Sequence, residues 1–118
     1  MGKVYHLSNC NTCQRIIDQL GIRESFELQN IKEENISAEE LTKIAKQEGS
    51  YEAVFSRRAM KYRSMGLNEK ELSEEDYKNL ILEEYTFLKR PVIKIGSKFF
   101  VGNTKKVVAA AAEELGVS

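Results

Sequence analysis

Cys10 and Cys13 are the two cysteines of the chain, three positions apart in Ser8-Asn9-Cys10-Asn11-Thr12-Cys13-Gln14-Arg15. A pair at this spacing can bind a metal, close a disulfide or work as a redox couple. Zinc takes about four ligands, yet there is no second cysteine pair, and the single histidine, His6, lies inside a strand candidate. A zinc site would need His6 plus a carboxylate or a second subunit, so no metal is expected. His6 reads instead as a satisfied, half-buried strand residue. A purely structural disulfide would close only a four-residue segment. Its loop-entropy gain falls well below the ~3 kcal/mol of a fifteen-residue loop, and in a reducing compartment it would tend to open.

The redox reading accounts for the placement. If a helix starts at or just after Cys10, that sulfur sits over the unpaired N–H groups at the positive helix end. Such groups stabilise a thiolate and lower the thiol pKa. Cys13 shares the i, i+3, i+4, i+7 stripe of Ile16, Ile17 and Leu20 and is the shielded partner. Cys10 would attack, and Cys13 would displace the adduct to form the Cys10–Cys13 disulfide. A C-x-x-C inside a β-α-β pattern is a fairly specific redox signal.

The elements that must hold this pair follow from patterning. Lys3 to Leu7 is a strand candidate, the Cys13–Leu20 stripe is a helix ended by Gly21, and Phe26 to Leu28 is a second strand. Ser37-Ala38-Glu39-Glu40 is a capping box, with Ile36 stapling to Leu41, and opens a helix with Leu41, Ile44 and Ala45 inward. Residues 50 to 65 form one or two short helices ending at Gly66. Ser73-Glu74-Glu75-Asp76 starts another, with Leu72 stapling to Tyr77 and Tyr77, Leu80 and Ile81 facing in. Val92 to Ile95 and Lys98 to Val101 flank Gly96-Ser97 as a hairpin with a two-residue turn. A last helix runs from about Thr104, with Val108, Ala111, Ala112 and Leu115 inward. The order β-α-β, helical insertion, β-β-α makes an α/β fold with a mixed four-stranded sheet, matching a thioredoxin-like topology. It is read as one domain, 1–118, with the insertion at about 36–88.

Composition bounds the function. The 118 residues suit one domain, and 42% hydrophobic with 31% charged residues is ordinary for a globular chain. No apolar run is long enough for a membrane helix, and the start lacks a signal-peptide core; the expectation is a cytoplasmic protein with no membrane contact. Net charge is zero, which removes the electrostatic case for direct nucleic-acid binding. The cluster Arg57, Arg58, Lys61 and Arg63 is either an oxyanion or partner patch or a solvated helix face.

"CNTC" after a first strand, "FSRR" in mid-chain and "KRPVIKIGSKFFVGN" near the end, in a chain of this length, together resemble the arsenate reductase/Spx family over essentially the whole chain. The resemblance implies a thioredoxin-like fold, Pro91 in a cis bond facing the cysteines, and Cys10 as nucleophile. Arg90 matches the family arginine before that proline, which in arsenate reductases helps hold the oxyanion. A guanidinium there can pair with arsenate oxygens and also stabilise the Cys10 thiolate. Arg57 or Arg58 matches a second substrate arginine, with the register open by one residue. The third should lie near Val101-Gly102, where the nearest cations are Lys105 and Lys106, which lack a bidentate fork.

The glutathione/glutaredoxin-coupled arsenate reductases carry one cysteine in this loop, so the C-x-x-C is closer to the Spx-type regulators. Those bind the C-terminal domain of the RNA polymerase α subunit and use the pair as a redox switch. Gly49 falls near the glycine of their polymerase contact. The expectation is a monomeric cytoplasmic thiol–disulfide oxidoreductase with Cys10, Cys13 and Arg90 in the reaction and Pro91, Arg57 and Arg58 around the substrate. The substrate would be a small thiol, an oxyanion or a redox protein. No cofactor would be bound, and glutathione or glutaredoxin would serve as reductant. A polymerase-binding regulator and a true arsenate reductase remain the alternatives.

Overall fold

The structure, a computed structural model, describes residues 2–116. The chain divides into two compact units, one from Met1–Glu34 with Arg90–Ser118 and the other from Asn35–Lys89.

The first unit is built on a four-stranded sheet. Its elements are β1 (Gly2–His6), α1 (Asn11–Leu20), β2 (Glu27–Asn30), β3 (Val92–Ile95), β4 (Lys98–Val101) and a C-terminal helix, Lys105–Leu115. The strand order is β2-β1-β3-β4. β1 runs parallel to β2, pairing Val4 with Leu28, and antiparallel to β3, pairing Val4 with Ile93. β3 and β4 form the expected antiparallel hairpin, Ile95 opposite Lys98, around Gly96 at φ +61°. That positive φ is where glycine costs least. Val4, Ile16, Ile17, Leu20, Ile22, Ile93, Val108 and Ala111 make the core, with Phe26, Leu28, Phe100, Ala112 and Leu115 packed on it. Both helices therefore contribute the stripe read from spacing.

β1 and β2 are each displaced from the expected Lys3–Leu7 and Phe26–Leu28, to Gly2–His6 and Glu27–Asn30, and two of these ends have a hydrogen-bonding reason. Phe26 stays out of β2 because its N–H bonds back to the Ile22 carbonyl at 3.0 Å. Leu7 leaves β1 because its carbonyl turns to the N–H of Cys10, at 3.1 Å. Gly2, at the start of β1, is held for space rather than for φ: a Cβ there would collide with the Phe26 ring and the Lys94 carbonyl. Gly2→Ala should lower stability by about 1–3 kcal/mol, read as a fall in the denaturation midpoint. An unchanged midpoint would mean that Phe26 repacks without cost.

The second unit is helical, with α2 (Ala38–Glu48), α3 (Met60–Ser64) and α4 (Glu74–Glu83) joined by single 3₁₀ turns. The Ser37 hydroxyl accepts the Glu40 N–H, and Ser73 and Asp76 form a full capping box. Residues 50–66 give a 3₁₀ turn and the short α3, which Met65 caps before Gly66 at φ +71°. α3 buries none of its residues, which explains why no apolar stripe announced it. Leu41, Ile44, Ala45, Tyr77 and Ile81 are buried as expected, and Leu80 is half-buried. Phe55 is the hub: its ring stacks on Phe87 at 4.9 Å and meets Tyr77 edge-on at 4.9 Å and Tyr62 at 5.9 Å. Backbone bonds from Ser56 to the Phe87 carbonyl and from Lys89 to the Val54 carbonyl close this unit. Among the described residues, no helix is long and apolar enough to cross a membrane.

Candidate functional site

Cys10 is the N-cap of α1. Its backbone is extended, and its Sγ accepts the N–H of Cys13 at 3.4 Å. This is the role usually taken by a serine or aspartate oxygen, so the sulfur meets one of the orphan donors of the helix start. Cys10 is partly exposed and Cys13 fully buried; both are free thiols, and the residues approach to 3.2 Å. The split follows from the fold: Cys13 projects into the stripe with Ile16, Ile17 and Leu20, whereas Cys10 stands one turn earlier.

The two thiols are tuned in opposite directions. Burial alone would raise Cys10, but the N–H of Cys13, the Cys13 side chain, the charge of Arg90 and the N–H of Thr12 together hold it below the ordinary thiol range. Cys13 is pushed up to about 12, first by burial, then by its hydrogen bond to Cys10 and the charge there; the Leu7 backbone and Arg90 only partly offset this. The arrangement presents one sulfur that ionises more readily than an ordinary thiol and, beside it, one that holds its proton.

Arg90 is half-buried and its charge reaches both sulfurs. The Arg90–Pro91 peptide is cis and Pro91 is buried. The Pro91 carbonyl accepts the N–H of Gly102 at 2.9 Å, which ties the start of β3 to the end of β4. Cys10, Cys13, Arg90 and Pro91 all belong to the first unit. Among the described residues, no group of three or more His, Cys, Asp or Glu side chains is placed to hold a metal.

His6 is buried, and its Nδ1 lies 3.1 Å from the Gln14 side-chain nitrogen. Burial lowers its pKa first, and the Arg23 charge lowers it further, against a backbone contact at Leu7 that raises it. It is the satisfied strand residue expected, though buried rather than half-buried. Gln14 also donates to the Leu7 carbonyl at 2.8 Å, while Arg23 donates to the Gln14 Oε1 at 2.9 Å and pairs with Asp18 at 2.7 Å. Sequence reading passed over Leu7, Gln14 and Arg23. Gln14 does fall one helical turn after Cys10, but its partners are a backbone carbonyl and a residue beyond the helix, and neither leaves a periodic signal.

Arg57, Arg58 and Gly49 belong to the second unit. Arg57 is committed locally: it pairs with Glu52 at 2.6 Å, donates to the Tyr77 hydroxyl at 3.0 Å and lies over that ring. Arg58 is exposed. Gly49 caps the C-terminus of α2 at φ +102°, exposed, with its N–H on the Ala45 carbonyl.

A model of the ArsC family matches residues 5–111 of the chain. The chain belongs to the ArsC family. Solved structures resemble this ArsC-family chain throughout. An arsenate reductase from Vibrio cholerae aligns with TM-score 0.78 at 19% identity, over 92% of this chain and 95% of its own. A protein from Staphylococcus aureus COL aligns with TM-score 0.72 at 26% identity, over 93% and 97%. An arsenate reductase (ArsC) related protein from Brucella melitensis aligns with TM-score 0.69 at 22% identity, over 92% of each. No curated protein matches the chain. The fold is thus the thioredoxin-like one that the element order suggested.

Proposed function

We propose that this ArsC-family protein is a thiol–disulfide oxidoreductase in which Cys10 attacks and Cys13 resolves. One observation carries the reading: two thiols one helical turn apart are tuned oppositely, the exposed one down and the buried one up. The Cys10 thiolate attacks one sulfur of a disulfide R–S–S–R′. The Cys10–S–S–R bond forms, the substrate S–S bond breaks, and R′S⁻ leaves and takes up a proton. Cys13 then loses its proton to solvent and attacks the Cys10 sulfur. RS⁻ leaves and is protonated, and the protein keeps the Cys10–Cys13 disulfide. The substrate is reduced by two electrons and the protein dithiol is oxidised by two. Glutathione or glutaredoxin would return the pair to the dithiol.

The tuning supports this order of events. The hydrogen bond to Cys10 and the charge there help to hold Cys13 protonated. Both end once Cys10 carries a substrate sulfur, so Cys13 becomes easier to ionise when its attack is needed. Arg90 would stabilise the thiolate and, with the N–H groups of the helix start, an oxyanion or thiolate leaving group. Pro91, which follows Arg90 in the same unit, would shape the site. The reaction is read by reduction of a small disulfide coupled to glutathione. A wild-type Cys10 pKa at the ordinary ~8.5 would remove the activated nucleophile.

A second reading, a cytoplasmic redox-sensing regulator that binds the RNA polymerase α subunit, is supported by the exposure of Gly49 and the open space around it. Gly49→Arg should weaken such a complex, but the positive φ means that any side chain there is strained by about 1 kcal/mol or more. Gly49→Ala is therefore the control: it should cost the same stability and leave the complex intact. No detectable complex in either redox state would exclude this reading.

A further inference from the structure

We propose that Gln14 is a positioning residue for the Cys10 sulfur: its side-chain amide fastens the Leu7–Cys10 turn to the first turn of α1, and Arg23 sets which way that amide points. The Leu7 carbonyl receives two donors, the N–H of Cys10 at 3.1 Å and the Gln14 Nε2 at 2.8 Å. The Gln14 N–H in turn bonds to the Cys10 carbonyl at 3.1 Å. Gln14 therefore grips both ends of the turn that aims the sulfur, Leu7 through its side chain and Cys10 through its backbone.

The amide is held in one orientation. Arg23 offers only donors, so the Gln14 oxygen faces it, at 2.9 Å. The nitrogen then faces the Leu7 carbonyl and, at 3.1 Å, the His6 Nδ1. A flipped amide would set its NH₂ against the guanidinium and its oxygen against the Leu7 carbonyl. Asp18 keeps Arg23 in place at 2.7 Å. An exposed ion pair is worth little to stability by itself; here it orients a group that reaches the cysteine turn.

A loosened turn would let the Cys10 sulfur drift from the Cys13 N–H, the contact that caps α1. The thiolate would then lose a donor. This inference rests on the oxidoreductase reading only for its importance to activity. Its test uses iodoacetamide, which needs no substrate. Between pH 5 and pH 9, alkylation of the folded dithiol reports Cys10, because Cys13 is buried and titrates near 12.

Gln14→Met keeps the length of the side chain and removes the donor and acceptor. It should move the midpoint of the alkylation profile upward, so that the rate well below the midpoint falls about three- to tenfold, one power of ten for each full pKa unit. Gln19→Met, on the exposed side of the same helix, should leave the profile alone. A folded Gln14→Met protein with the wild-type midpoint overturns the proposal, as does an equal shift in Gln19→Met. If Gln14→Met fails to fold, Arg23→Met decides: a smaller upward shift supports the proposal, and no shift overturns it. An ordinary midpoint in the wild type counts against the oxidoreductase reading instead, and the Gln14 shift is still measurable from it.

Discussion

Cys10→Ser should abolish all detectable disulfide reduction, whereas Cys13→Ser should stop the protein after one half-reaction, with a substrate thiol attached to Cys10. The difference follows from the helix start. Serine can cap α1 as well as cysteine does, so Cys10→Ser keeps the fold and loses only the nucleophile. Cys13→Ser keeps the exposed sulfur, the Arg90 charge and the Thr12 N–H, but removes the group that expels the substrate. Mass spectrometry of the Cys13→Ser protein after incubation with a disulfide should show one adduct per chain. Equal loss with no adduct in the two variants would contradict the assigned order of attack. Arsenate supplied with glutathione and glutaredoxin separates the remaining reading. Turnover that survives Cys13→Ser and vanishes in Cys10→Ser would make the protein a single-cysteine arsenate reductase.

Phe55→Ala should destabilise the fold severely, at a cost of about 3–5 kcal/mol. Phe55 is fully buried and touches three aromatic rings, one stacked and two edge-on. Truncation removes the area that the ring buries and leaves a cavity whose walls are held by backbone bonds at Ser56 and Lys89. A loss of this size is a large fraction of the about 5–15 kcal/mol that stabilises an ordinary domain. Denaturant unfolding followed by far-UV circular dichroism measures it. Phe55→Leu, which refills much of the space, should recover about half. A loss below about 1 kcal/mol would show that this unit contributes little to the cooperative transition.

Much of the first unit is legible in the sequence. The Cys13–Leu20 stripe, Gly21 as a stop and the Gly96-Ser97 hairpin are local patterns, and local patterns survive folding. The helix-start position of Cys10 follows from the same stripe, and with it the difference between the two thiols. The strand ends at Leu7 and Phe26 are less legible, because they depend on where single backbone groups find partners. α3 leaves no periodic trace since it buries nothing. Arg57 shows the limit most clearly: its partners Glu52 and Tyr77 come from separate elements, and one of them lies twenty residues away. Gln14 is hidden for the same reason. A polar residue beside an apolar stripe looks like helix surface until its tertiary acceptor is seen.

Cys10 capping its own helix ties proton binding to folding. Its lowered pKa means that the folded dithiol releases this proton before the unfolded chain does. Stability contributed by Cys10 is thus present above the ordinary thiol value of ~8.5 and is lost as pH falls through its folded pKa. Cys13 works in the opposite sense: its raised pKa lets stability drain away as pH climbs from the ordinary thiol value toward about 12. The joint contribution of the two sulfurs to the dithiol fold is therefore largest near the ordinary thiol value. In the proposed disulfide neither sulfur would titrate, and that contribution would vanish. In the proposed couple, what stabilises the thiolate would be forfeited on oxidation, so each donor at the start of α1 would make the couple a stronger oxidant. In that couple the end of one helix would act as a potentiometer.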